Sequence, residues 1–430
     1  MLGNPPFVGA KYLSDEQRSD MKKVAGQIKS YGLLDYVTAW YFKAAHYIQD
    51  SAVTVAFVST NSITQGEQVG VLWSELFRLG LRIEFGHRTF AWVSEARGKA
   101  HVHVVIIGCS VRKGNGKKRL YDYETDAENP TVVQVRHISP YLVEGGDTVV
   151  MNRRVPLCDS PKMGIGNKPI DDGNYLFLPE ERDEFVSKEP KSKKWFRRWL
   201  GSDEFLYGWE RWCLCLHECP PNELRAMPMV VERVANVRKL RQASKSAPTR
   251  AIAKTPTLFH VQNFPTDTFL VVPKVSSERR RYIPIGFMKP ETLISDLCFI
   301  VADATVFHFG VMSSSMHVAW LKLVAGRLKS DFRYSVKLVY NNFPWPVSLT
   351  EKQKAKVETK AQAVIDARAL FPDSSLADLY DPLAMPTKLL KAHNALDRAV
   401  ESCYRSKQFE SDRERVEFLF GLYEKMMAVD

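Results

Sequence analysis

The stretch "AVTVAFVSTNSITQGEQVGVLWSELFRLG", residues 52–80, changes character twice. Its first eight residues are rich in Val and flanked by polar residues, the pattern of a buried strand. Residues 60–68 are polar and read as a loop, and "VGVLWSELFRLG" (69–80) reads as a helix. Upstream, "SDEQRSDMKKVAGQIKSYG" (14–32) predicts a helix capped by Ser14, with Gln17 completing a capping box and Gly32 near the end. "LDYVTAWYFKAAHYI" (34–48) follows as a more apolar helix. Downstream, "LRIEFGHRTFAW" (81–92) and "AHVHVVIIGCS" (100–110) read as strands. Helix, strand, helix, strand, strand is the order of the second half of an open α/β sheet.

The whole chain has 430 residues, enough for two or three domains with packed cores. Hydrophobic residues make up 45% and charged residues 25%, as in an ordinary globular protein. Sixty Lys and Arg against 49 acidic residues leave a net charge of +11, which suits a polyanionic partner. No apolar run approaches the ~20 residues of a membrane span, and the start lacks the basic head and apolar stretch of a signal peptide. Seven scattered cysteines, an odd number, point to a reducing cytoplasm.

The chain opens "MLGNPPFVGAKY", with an amide, two prolines and an aromatic at residues 4–7. Asn-Pro is a turn signal and the second proline forbids helix, so one reading is a frayed terminal loop. The other reading is catalytic. To methylate an exocyclic amino group, a protein must hold its two hydrogens with acceptors and aim the nitrogen at a methyl donor. The Asn4 side-chain carbonyl and the Pro5 backbone carbonyl supply such acceptors, and Pro6 stiffens the turn. Phe7 can sandwich a base taken out of the helix stack. A cytosine-carbon methylase would need a nucleophilic cysteine, typically after proline, and Pro-Cys occurs nowhere in the chain.

"GNPPF", "LDYVTAWYFKAA", "VTVAFVSTNSITQGEQ" and "HRTFAW…AHVHVVIIG", in that order, resemble the second half of an adenine-specific amino-methyltransferase. The resemblance is strongest to the MmeI-like group of type II restriction-modification enzymes. Residues 313–346, "SSSMHVAWLKLVAGRLKSDFRYSVKLVYNNFPWP", and 379–400, "LYDPLAMPTKLLKAHNALDRAV", resemble that group's target-recognition and C-terminal segments. The resemblance implies S-adenosylmethionine as cofactor, duplex DNA as partner and catalysis by Asn4, Pro5, Pro6 and Phe7. It also implies a glycine-rich donor-binding turn before the N-P-P-F loop. Only Met1, Leu2 and Gly3 precede Asn4, and the glycine pairs Gly114/Gly116 and Gly164/Gly166 do not sit between a parallel strand and a helix. An acidic pair joined to an E-x-K motif, the signature of a nuclease, is not visible. The expectation is therefore the target-base and specificity half of a larger enzyme, completed by an N-terminal methylase or nuclease half on the same or another chain. The alternative is a non-catalytic DNA-binding specificity fragment.

The expected fold is α/β, a partial Rossmann-like methyltransferase sheet over residues 1–112. An α+β target-recognition domain follows over 113–347, and a helical C-terminal segment over 348–430. Within the first, Thr60, Asn61, Ser62 and Gln65 either line the substrate crevice at a strand's C-terminal end or cap the next helix. Asp35 and Tyr36 open the helix that, by the resemblance, packs beneath the catalytic loop. His101 and His103 read as structural. "VRKGNGKKRLYDYETD" (111–126) reads as a basic hairpin or linker.

In the second part, "KSKKWFRRWLG" (191–201) reads as a helix. Trp195 and Trp199 would anchor it and Lys193, Lys194, Arg197 and Arg198 would face outward to phosphates. "SERRRYIP" (277–284) reads as extended, with Arg279 and Arg281 on one side and Arg280 on the other, near bases or phosphates. Lys322, Arg327, Lys329 and Arg333 are candidates for a phosphate track, with Trp320 and Leu323 on an apolar face. Cys213, Cys215, His217 and Cys219 alternate along a straight strand, too open to close a tetrahedral zinc site, so no metal is expected.

Overall fold

A computed structural model describes residues 1–92, 102–111, 116–123, 126–328 and 330–428. His101, Gly114 and Lys329 lie outside the described residues. The chain divides into two compact units. One comprises Met1–Cys158, Ala319–Trp345 and Phe409–Asp430, the other Asp159–Val318 and Pro346–Gln408.

The first unit carries a six-stranded sheet. Its strands are β1 (Leu2–Gly3), β2 (Val55–Thr60), β3 (Arg82–Trp92), β4 (Val102–Ser110), β5 (Lys118–Asp122) and β6 (Thr131–Val135), in the order β1-β2-β4-β3-β5-β6. β1 pairs parallel to β2 with Leu2 opposite Ala56 and Gly3 opposite Phe57, and β4 pairs antiparallel to both β2 and β3. The basic stretch expected as a hairpin or linker holds β5, which joins this sheet parallel to β3 and antiparallel to β6. The α/β reading of the sheet holds.

Helices α1 (Asp15–Ala25), α2 (Thr38–Tyr47) and α3 (Glu67–Arg78) accompany the sheet. The capping box of α1 is formed: the Gln17 amide donates to Ser14 Oγ at 3.2 Å and the Ser14 amide to Gln17 Oε1 at 3.0 Å. This helix ends at Gly26 rather than near Gly32, and the chain turns before Tyr31–Leu33. In α2, Ala39, Tyr41, Phe42, Ala44 and Ala45 are buried, so the helix presents apolar groups around most of its circumference. Tyr41 shares a 2.9 Å hydrogen bond with Ser59 on β2, and Trp73 of α3 donates to the Ile63 carbonyl at 2.8 Å. Gly66, at the entrance to α3, has φ 71° and ψ −162°, a conformation open essentially to glycine alone. A Cβ there would also lie 3.0 Å from the Gly326 backbone.

The second unit holds two four-stranded sheets. One orders Leu293–Ile294, Phe196–Leu200, Trp212–Leu214 and Leu176–Phe177. The other orders Gly286–Met288, Phe269–Pro273, Cys298–Val301 and Met163–Ile165. Residues 191–201 are not the expected helix. A 3-10 turn, Pro190–Trp195, runs into the strand Phe196–Leu200, whose pairing on both sides overrides the helical spacing of the tryptophans. The helices Glu351–Ala369 and Thr387–Glu401, both legible in the sequence, pack on each other and on Val306–Met312. A helix not anticipated, Pro228–Gln242, carries the fully buried Arg241.

Two buried histidines give this unit a pH-dependent stability. Burial pushes His317 down to about 3, and burial, with Arg368 and Arg281 nearby, pushes His393 well below its ordinary value. Both stay neutral in the folded state and take up protons only on unfolding. Stability is therefore retained above the unfolded value near ~6.5 and lost as pH falls below it, by roughly 1.4 kcal/mol per pH unit for each histidine. Urea unfolding at stepped pH is expected to show a falling midpoint between about pH 6.5 and 5, a fall reduced in the double variant His317→Gln/His393→Gln, with burial of His217 and His308 keeping the remainder.

Candidate functional site

β1 ends at Gly3, and the next residues leave the sheet at the C-terminal end of a parallel strand, the edge where α/β sheets place their ligands. Gly3 itself is closely approached, since a Cβ there would meet the Phe57 ring at 3.1 Å. Asn4 is exposed, Pro5 buried, Pro6 exposed and Phe7 half-buried. The buried ring of Pro5 fixes the turn, leaving the Asn4 amide open to solvent.

A buried carboxylate holds the far end of this loop. Asp35, 8% exposed, accepts the Ala10 amide on Oδ1 at 3.0 Å, and the Tyr36 amide donates to the Val8 carbonyl at 2.9 Å. Asp35 Oδ2 accepts Ser62 Oγ at 2.5 Å and Thr60 Oγ1 at 3.5 Å, and the two hydroxyls share a 2.8 Å bond. Gln68 Oε1 in turn accepts the Asp35 amide at 2.8 Å. The loop after β1 and the turn after β2 thus meet on one carboxylate. Asp35→Ala leaves Ala10 N–H, Thr60 and Ser62 to find other partners. The Ala10 and Tyr36 amides are expected to lose hydrogen-exchange protection while β4 amides keep theirs.

The residues expected to line a crevice divide between roles. Asn61 opens the 3-10 turn Asn61–Thr64, and Thr64 donates to its carbonyl. Ser62 belongs to the Asp35 cluster. Gln65 Oε1 accepts Arg327 Nε at 3.1 Å, and the Arg327 guanidinium lies 3.8 Å from the Phe332 ring centre. Arg327 and Arg333 sit on the hairpin Gly326–Leu328/Asp331–Arg333, with Arg333 exposed. Lys322 pairs with Asp412 at 2.8 Å. A cavity of about 460 Å³ opens here, and its lining includes Arg88, Lys322, Arg327, Arg413 and Tyr123. Trp320 is buried, as its assignment to an apolar face required.

Sequence reasoning missed an aromatic row on β3, on β5 and at Tyr123, the residue after β5. His87 stacks on Tyr121 at 4.1 Å and 3°, its Nδ1 lies 2.7 Å from the Tyr123 hydroxyl, and Phe90 stacks on Tyr123 at 4.6 Å. Burial lowers the pKa of His87. The alternation of rings in "HRTFAW" and "YDY" was the available signal.

In the second unit, most basic candidates have carboxylate neighbours. Lys194 pairs with Glu223 at 2.5 Å, while Arg197 and Arg198 lie 3.9 Å from Glu218 and Glu210. Lys193 is exposed. The Arg279–Arg281 segment is a turn rather than extended, with the Arg280 amide donating to the Ser277 carbonyl at 3.2 Å. Arg279 is exposed and Arg280 half-buried, while Arg281 Nη2 donates to Asn394 Oδ1 at 2.9 Å. Cys213 and Cys215 are buried, Cys215 Sγ lies 3.2 Å from His217 Nδ1, and His217 stacks on Phe264. Burial raises the pKa of both thiols. Among the described residues no group of His, Cys, Asp or Glu is placed to hold a metal, and no helix is long and apolar enough to cross a membrane.

Comparison with known proteins agrees with this architecture. Three family models match in succession: the MmeI DNA-methyltransferase domain over residues 1–122, the MmeI target recognition domain over 144–347, and the MmeI C-terminal domain over 349–429. DNA methyltransferase A of Bacillus subtilis (strain 168) is 40% identical over 99% of this chain and 48% of its own length. A solved structure of the Type IIL restriction-modification enzyme MmeI in complex with DNA is 46% identical. It covers 99% of this chain and 57% of that chain, with a TM-score of 0.89. The chain thus spans about half the length of the curated relative it matches.

Proposed function

The chain belongs to the MmeI family of DNA methyltransferases, and from that premise we propose that it methylates the exocyclic amino group of an adenine flipped out of duplex DNA. The observation that carries the proposal is the placement of Asn4: exposed, at the C-terminal end of a parallel strand, on a loop fixed by buried Pro5 and by Asp35. Asn4 Oδ1 and the Pro5 carbonyl accept the two amino hydrogens, which holds the nitrogen lone pair toward the donor. Phe7 stacks against the extruded base. S-adenosylmethionine, when bound, supplies the methyl group, and the amino proton then leaves to water.

The donor is presented, in this reading, by a segment outside these 430 residues, on the same polypeptide or another chain. In its support, β1 is the edge strand of its sheet and Leu2 is 86% exposed. A cavity of about 580 Å³ opens beside it between Met1, Tyr36, Trp40 and Phe57. The exposed cations of the second unit, Lys193 and Arg279 among them, suit duplex phosphates. Transfer of labelled methyl to mixed-sequence duplex DNA tests the reading. The chain alone is compared with the chain co-expressed with the upstream half of a relative. Label in the second case supports methylation with the donor held elsewhere. Salt-sensitive binding with no label in either would make the chain a non-catalytic specificity fragment.

A further inference from the structure

We propose that the exposed face of the helix Thr387–Glu401, together with the turn at residues 278–281, forms a surface that grips duplex phosphates. It rests on the reading of DNA as partner. The helix buries Leu389, His393, Leu396, Asp397, Val400 and Glu401. Its exposed cations are Lys388, Lys391 and Arg398. Lys391, Asn394 and Arg398 follow one another at intervals of three and four, which sets them on one face. The helix has only two acidic residues, Asp397 and Glu401, at 5% and 4% exposure. Its outer face therefore carries positive charge without the interleaved carboxylates of a solvated helix.

Lys388 and Lys391 also sit in the first turns, where the helix dipole opposes a cation and favours an anion. Among the described residues, none of Lys388, Lys391, Arg398, Arg279 and Arg280 forms an ion pair, in contrast to Lys194 and Lys322.

The arginine turn is fastened to this same face. Asn394 accepts Arg281 at 2.9 Å, with Asp397 behind it at 3.9 Å. Tyr282 donates to Asp397 Oδ2 at 2.7 Å and stacks on His393 at 4.0 Å. Asp397 also accepts the Ser315 amide and hydroxyl, both at 2.7 Å, so its position is fixed from three sides. Asn394 thus acts as a positioning residue that places the turn's arginines beside Lys391 and Arg398. From Lys388 to Arg398 the stripe runs ~15 Å, about four base-pair steps at ~3.4 Å each. A rigid row of that length suits backbone phosphates, which position a duplex without reading its sequence.

Binding of mixed-sequence duplex DNA over a salt series, followed by fluorescence anisotropy, tests this. Lys391→Gln/Arg398→Gln is expected to weaken binding and to reduce the slope of log K against log salt by about 1.8, as is Arg279→Gln/Arg280→Gln. Arg238→Gln/Lys239→Gln removes the same charge from the helix Pro228–Gln242 and is expected to leave the slope unchanged. Asn394→Ala removes no charge and should weaken binding only while Arg281 is present. Equal slope losses in all three double variants, or none in the first two, would overturn the proposal while leaving DNA binding intact. A wild-type chain that does not bind duplex DNA would overturn both readings.

Discussion

Asn4→Ala is expected to lower methyl transfer by roughly 10²–10³-fold while leaving duplex binding unchanged. Asn4 is exposed and makes no hydrogen bond among the described residues, so its loss leaves no buried group stranded. In the proposed mechanism the substitution removes one of two acceptors for the amino hydrogens. A nitrogen held by the Pro5 carbonyl alone can rotate, and its lone pair drifts from the line of attack. Asn4→Asp keeps an acceptor at the same reach and is expected to fall less far than the alanine variant. Paired measurement of methyl incorporation and duplex affinity separates this from a binding defect. A loss of affinity matching the loss of turnover would make Asn4 a binding residue only.

The largest stability effect is expected at Arg241. Its guanidinium donates to five backbone carbonyls: Pro169, Ile170, Ile252, Thr255 and Leu258, at 2.7–3.2 Å. Burial lowers its pKa, with Tyr175 and Asp171 opposing that shift. One side chain thus ties the segment before Tyr175 to the chain following the helix Pro228–Gln242. Arg241→Met fills much of the same space but strands five carbonyls. An unsatisfied buried acceptor costs ~1–3 kcal/mol, and partial relaxation brings the sum to about 4–6 kcal/mol. Arg241→Lys recovers only part of this, since three rotatable donors cannot match a planar fork. Chemical denaturation followed through the tryptophans of the second unit, Trp195, Trp199, Trp209 and Trp212, measures the loss. A change under about 1 kcal/mol would show that the carbonyls find other partners.

The parts of this fold that were legible in the sequence are those written locally. Ser14 and Gln17 announce a helix start within three residues, and the Val-rich run at 55–60 announces a strand. The C-terminal helices follow from their own periodicity. The Asn4–Phe7 motif stands out in the sequence as a candidate, but its anchoring does not. Asp35 meets Ala10, Thr60 and Ser62 across 25 to 27 residues, and no short pattern encodes that meeting. Trp195 and Trp199 suggested a helix because spacing alone was available, whereas strand pairing decided the outcome. Arg281 looked like a DNA contact on an extended segment. Its partner Asn394 lies 113 residues away. Arg241 left no sequence signal at all, since a cation in a polar helix ordinarily reads as solvated.

The most direct test is the identity of the modified nucleoside. DNA methylated by the chain with its donor-binding half supplied would be digested and its nucleosides separated by mass spectrometry. The account predicts methyl on the exocyclic amino group of adenine, lost in Asn4→Ala. Methyl on a cytosine carbon, or methylation undiminished in Asn4→Ala, would contradict it.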